Sequence, residues 1–164
     1  MTCFRVTHEE QLPSIINEQV DKLALQSYQI LILVDATAGQ LTLLDKISRI
    51  VISELLCEKL LPLANKRRVD EVEAFLAELI AVQTTAPVLL ERIQILFEPS
   101  LQLDVLRCLK VLSKQRTLII DWPGAYNGVA LSFSQPGKPD YFYYSESELS
   151  SIPVLWLTGN GEQK

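Results

Sequence analysis

The chain is 164 residues long, 48% hydrophobic and 21% charged, with a formal net charge of −5. That length suits a single domain able to bury roughly two thirds of the surface its unfolded chain exposes, and the composition excludes a disordered polypeptide. An acidic balance repels a phosphate backbone, so direct nucleic-acid binding is not expected unless the few basic residues gather on one face.

In chain order, Thr7 and Glu10 form a capping-box pattern, and Leu12, Ile15, Ile16, Val20 and Leu23 recur at helical spacing, which predicts a first helix over about residues 9–26. The apolar run Ile30 to Val34 has no alternation, so it reads as a strand buried on both faces at the centre of a parallel sheet. A small polar loop follows. The stripe Leu43, Leu44, Ile47, Ile50, Val51 and Leu55 predicts a helix after it, and residues 60–63 suggest a short strand in spite of Pro62.

Val69, Val72, Phe75, Leu76, Leu79 and Ile80 mark another amphipathic helix, ending before the loop at Thr84, Thr85, Ala86 and Pro87. Residues 87–91 and 116–121 read as two more buried strands, each ending in a carboxylate, Glu91 and Asp121. Between them Ser100 is placed to cap a helix carrying Val105, Leu106, Leu109 and Leu112. From Trp122 onward turn dipeptides flank β-rich runs. A hairpin is expected from residues 129–134 and 141–145, then a last strand over residues 152–157 and a frayed GNGEQK tail. The expected fold is α/β: a three-layer sandwich like that of a P-loop NTPase, its mainly parallel sheet carrying a C-terminal β-hairpin. Residues 1–28 hold the first helix, 29–121 the core, and 122–158 the hairpin and last strand of one domain, 1–164.

Cys3, Cys57 and Cys108 are widely spaced and match no metal-binding pattern, and an odd number suits a reducing compartment. The first ten residues have neither the basic start nor the apolar stretch of a signal peptide, and no apolar run approaches the roughly 20 residues of a membrane helix. A cytoplasmic location away from membranes is expected.

The strand-loop-helix unit at residues 30–47 occupies the place of a phosphate loop, in which backbone N–H groups and a helix N-terminus surround the phosphates, a lysine meets the terminal phosphates and a hydroxyl holds magnesium. Asp35, Ala36, Thr37, Ala38, Gly39, Gln40, Leu41 and Thr42 span the G-x-x-x-x-G-K-[ST] length, and only Thr42 matches. A shift by one place puts Gly39 on the second glycine and Gln40 on the lysine. Neither register supplies a cation, and Asp35 adds a negative charge, which opposes phosphoryl transfer. The plain alternative is a β-to-α turn that only resembles a phosphate loop.

Glu91 stands where an acid would hold magnesium through water or orient an attacking water, and Asp121 with Trp122 ends the next buried strand. Lys66, Arg67 and Arg68 form the one basic cluster, read as a solvated helix start or as a contact for phosphate or an acidic partner. Tyr141, Phe142, Tyr143 and Tyr144 put aromatic rings on both faces of a strand, so one face is exposed or covered by something. His8 is the sole histidine and no hydrolytic triad can be built on it.

Three stretches, ILILVDATAGQLTLLDKI, PVLLERIQILFEPSLQLDVLRCLKVLSKQRTLIIDWPG and NGVALSFSQPGKPDYFYY, together resemble the BrxF family, the small P-loop protein of type 3 BREX phage-defence systems. The acid followed by FEPSLQLD, and the WPG turn with its hairpin, are the more specific parts. The resemblance implies a nucleotide-binding core working beside larger proteins that methylate host DNA and block phage DNA, with ATP and magnesium as cofactors. It maps the phosphate loop onto Asp35 to Thr42, the second acid onto Glu91, a sensor-like strand end onto Asp121 and Trp122, and magnesium contacts onto Thr42 and Glu91. Other BREX subunits and further copies of this chain are the implied partners. Three functions stay open: a scaffold or regulatory subunit with weak or no NTP hydrolysis, an active ATPase whose missing cation comes from Arg92, Arg107 or Arg116 of a neighbour, and a DNA-contacting accessory module using Lys66, Arg67 and Arg68.

Overall fold

A computed structural model describes the backbone of residues 3–6 and the whole of residues 11–157. Six strands form one sheet in the order β1-β9-β2-β5-β4-β3, and every neighbouring pair is parallel. They are β1 (Cys3–Val6), β2 (Ile30–Val34), β3 (Ser48–Val51), β4 (Val88–Glu91), β5 (Leu118–Asp121) and β9 (Val154–Leu157). All five residues of β2 are fully buried, as the unbroken apolar run requires of a strand hydrogen-bonded on both sides.

Alternation along the strands divides the interior into two layers. Leu31, Leu33, Leu89, Ile119, Leu155 and Leu157 face α1 (Leu12–Leu23) and the short α2 (Ala38–Thr42). Ile30, Ile32, Val34, Leu90, Leu118 and Ile120 face α3 (Ile52–Leu60), α4 (Asn65–Ala81) and α5 (Val105–Leu112). The result is helices on both faces of a parallel sheet. No helix among the described residues is long and apolar enough to cross a membrane.

The second sheet is antiparallel: β6 (Ala125–Tyr126), β7 (Leu131–Phe133) and β8 (Phe142–Tyr144). The expected hairpin is β7 with β8, and β6 adds a strand through a link in which Asn127 Oδ1 accepts the N–H groups of Val129 and Ala130. Aromatic rings join this sheet to the main one. Phe97 stacks on Phe133 at 4.0 Å between centroids and meets Trp122 and Phe142 edge-on at 5.5 and 5.3 Å.

Several expected elements are replaced. Thr7, Glu10 and the tail after Leu157 lie outside the described residues, and the described part of the first helix starts at Leu12, with a proline in its first turn. The single helix expected through Leu43, Ile50 and Leu55 is instead α2, a turn over residues 43–47, strand β3 and helix α3. The run Ile50, Val51 and Ile52 is β-branched, and its residues pack as well along a pleated strand as along a helix stripe. Residues 60–63 are no strand; they end α3 in a turn. There Arg68 donates to the carbonyls of Leu60 and Leu63 at 2.9 and 2.8 Å and of Leu61 at 3.1 Å, satisfying the orphan acceptors of a helix end. Ser100 falls in a 3-10 turn, Pro99–Leu101, and the cap of α5 is Asp104, whose carboxylate accepts the Arg107 N–H.

Candidate functional site

Because every strand of the main sheet points the same way, residues 35–42, Glu91 and Asp121 all fall at its carboxyl edge. The chain leaves β2 toward the α1 and α2 face, where Leu41 and Leu44 pack, and leaves β5 toward the opposite face, where Trp122 and Tyr126 pack. Adjacent strands that hand the chain to opposite faces open a crevice between their carboxyl ends, the place where open α/β sheets bind ligands.

Register brings the acids together. Leu90 lies opposite Ile120, so Glu91 and Asp121 end neighbouring strands at one level, two residues beyond Leu89 and Ile119 and therefore on the α2 face. Arg49 on β3 lies opposite Leu89 and shares that face. Its guanidinium donates to Glu91 Oε1 at 2.5 Å and also to the Leu41 carbonyl on α2, so one side chain ties the edge strand, the acid and the short helix together. Burial pushes the Asp121 carboxyl up to about 6, and the negative charge of Glu91 adds to the rise.

The eight residues that span the phosphate-loop length are not all loop. Asp35, Ala36 and Thr37 make the turn, and Ala38, Gly39, Gln40, Leu41 and Thr42 are helix α2. Thr37 Oγ1 accepts the Gln40 N–H at 3.1 Å while Gln40 Oε1 accepts the Thr37 N–H at 2.8 Å, a closed capping box with Gln40 buried. Two amides that would face a phosphate are thus engaged within the turn. Gly39 is an ordinary helical residue, where an added Cβ would come no closer than 3.8 Å to another atom, Thr37 Oγ1. Asp35 takes a left-handed conformation at φ 60° and accepts the Trp156 indole N–H at 2.9 Å, which fixes the turn to β9. Thr42 is exposed and its hydroxyl donates to the Ala38 carbonyl at 2.8 Å.

These residues do not fit ATP with magnesium as they stand. The Thr37 and Gln40 amides are engaged within the turn, the lysine position of the motif holds Leu41 or Gln40, and Glu91 is paired with Arg49. Among the described residues, no three or more His, Cys, Asp or Glu side chains gather in a group that could hold a metal ion. Trp122 diverges from Asp121: its indole donates to the Ser132 carbonyl at 2.9 Å and its ring lies against Phe97 and Tyr144, in the packing between the two sheets.

The candidate arginines are dispersed. Arg92 pairs with Glu54 at 3.1 Å on the surface, Arg116 donates to the Ile80 and Ala81 carbonyls at the end of α4, and Arg107 is exposed on α5. The basic cluster also splits. Arg67 pairs with Glu71 one helical turn on, Arg68 closes the end of α3, and Lys66 is exposed.

Sequence reasoning missed Arg49, because a helix through residues 43–55 gives it no place at the sheet edge. Two signals were available: the β-branched run around it, and Thr37-x-x-Gln40, a capping-box pattern inside the supposed phosphate loop. Fold and site define a parallel α/β domain with an ion-paired Glu91 beside Asp121 at the carboxyl edge of its sheet. No family model, curated protein or solved structure matches the chain.

Proposed function

We propose that the chain is a subunit of a BREX-type antiphage defence system in which a P-loop-like domain serves as a scaffold or regulatory part with little or no NTP hydrolysis. The turn carries this reading: the Thr37–Gln40 capping box occupies two of its amides, and the Arg49 bridge occupies Glu91, the acid that magnesium would need. The parallel three-layer architecture, with its strand-turn-helix unit beside a crevice, is the P-loop-like part of the proposal; the BREX assignment rests on the three sequence stretches.

Two measurements test it. Titration calorimetry with ATP and magnesium is expected to give no saturable heat; tight binding with hydrolysis that Glu91→Gln abolishes would overturn the scaffold reading. Tagged protein expressed with the other BREX proteins is expected to co-purify with at least one of them, and its recovery alone would remove the biological assignment.

A second reading, an active ATPase with an unusual loop, draws on one observation: Arg49 is a cation on the same face as Glu91 and Asp121. It requires Arg49 to leave its two partners and predicts turnover that Arg49→Ala removes. Purified protein without turnover at any concentration ends it.

A further inference from the structure

Strand β8 and the segment around the Pro99–Leu101 turn line an open cleft of about 560 Å³ whose walls include none of residues 35–42, Glu91 or Asp121. Glu98, Asp104 and Glu148 stand in its walls, and among the described residues no lysine or arginine does. Pro99 and Pro139 stand on the walls beside Tyr141 and Tyr143. On β8 the rings alternate. Phe142 and Tyr144 pack inward against Phe97 and Trp122, while Tyr143 is 51% exposed. Among the described residues, no element covers Tyr143 on the outer face of β8.

The cleft is also held rigid. Asp104 Oδ1 accepts both the Arg107 N–H at 3.2 Å and the Tyr144 hydroxyl at 3.1 Å, and Tyr144 in turn accepts the Leu106 N–H. Lys110, Arg107 and Lys138 are not among the wall residues. Lys110 Nζ donates to the Glu148 backbone carbonyl and lies 5.1 Å from the centroid of the Tyr28 ring, and Arg107 and Lys138 are exposed.

We infer that this cleft docks an extended, arginine-bearing and proline-containing segment of a partner protein. The charge complementarity selects the cation, since three carboxylates in a wall without basic residues leave negative potential that a guanidinium satisfies. The exposed Tyr143 ring adds cation–π attraction for arginine and flat apolar surface for proline. A polyproline segment has three residues per turn and little entropy to lose on docking, so arginine at every third position presents one charged edge to the carboxylates. This inference goes beyond the proposed function and does not depend on it.

The probe is a fluorescein-labelled peptide of seven residues, with arginine at the first, fourth and seventh positions and proline between, titrated with the full chain and read by anisotropy. Saturable binding is expected, weakened about ten-fold or more when glutamine replaces the arginines, and weakened again when salt rises from about 50 to about 300 mM. Glu98→Gln combined with Glu148→Gln is expected to lower affinity about ten-fold, and Tyr143→Ala several-fold. Glu148→Gln alone, on an exposed helix position, serves if the pair unfolds. No saturable binding, equal binding of the glutamine peptide, or affinity unchanged by these substitutions would overturn the inference.

Discussion

Asp121 ends its strand beside Glu91, which Arg49 pairs. Burial pushes the Asp121 carboxyl up to about 6, and the negative charge of Glu91 adds to the rise. An acid whose pKa is higher folded than unfolded binds its proton more tightly in the folded state. Its contribution to stability is therefore full below the unfolded value of about 4 and is lost as pH rises through about 6. Asp121→Asn removes the ionisation while keeping the shape. The variant should match the parent near pH 4 and exceed it above pH 7 by about 1 to 2 kcal/mol, a figure reduced from about 1.4 kcal/mol per pH unit because the carboxylate keeps some contact with water. Urea unfolding of both proteins at a series of pH values reads this directly. A difference that stays constant across the series would show that burial and Glu91 do not control the group. Arg49 matters to the proposed function for the same reason: freeing it for a phosphate would leave Glu91 without its cation beside Asp121.

The elements show where sequence patterns decide and where they do not. Strands β2, β4, β5 and β9 were legible because each is an apolar run without alternation, which only a strand covered on both faces tolerates. Strand β3 was not, since Ile47, Ile50 and Val51 satisfy a helical stripe and a pleated edge equally, and the choice is made by pairing with β4, far along the chain. The positions of Glu91 and Asp121 followed from strand ends, whereas the pairing of Glu91 with Arg49 depended on that unseen strand. Glycine roles divide in the same way. Gly39 matches a phosphate-loop glycine in the shifted register and is structurally an ordinary helix residue, while Gly124, the glycine of the WPG turn, allows two backbones to approach. A Cβ at Gly124 would stand 1.8 Å from the Ser132 carbonyl oxygen and 2.9 Å from the Trp122 indole nitrogen. Gly124→Ala should therefore break the Trp122–Ser132 hydrogen bond and the β6–β7 pair, costing about 2 to 3 kcal/mol. Gly39→Ala should be neutral or stabilise α2 by up to about 1 kcal/mol. Chemical denaturation of the two variants separates these outcomes, and a marked loss at Gly39 would point to a conformation other than helix.

At the scale of the whole molecule, the second sheet and the 3-10 turns close one side of the main sheet over α5, so access to that layer reports on the integrity of the fold. Cys108 sits on α5 in the larger hydrophobic layer, 3% exposed, and burial pushes its thiol up to about 12, aided by the negative charges of Glu73 and Asp104 and opposed by Arg107. Tyr144 anchors the second sheet to the start of this helix through Asp104 and Leu106, so exposing Cys108 requires separating packed layers rather than moving a loop. Cys57 on α3 is only partly buried, and no comparable closure protects it. At pH 8 iodoacetamide should modify Cys57 in the native protein, while Cys108 reacts about a thousand-fold more slowly or less, limited by global opening and by its small thiolate fraction. Peptide mapping by mass spectrometry resolves the two sites and reads Cys3 separately. Denaturing urea should bring both to similar rates. Rapid native labelling of Cys108 would mean that the α5 layer opens on its own, and the cleft built on Asp104 would then lack the rigid wall that peptide docking requires.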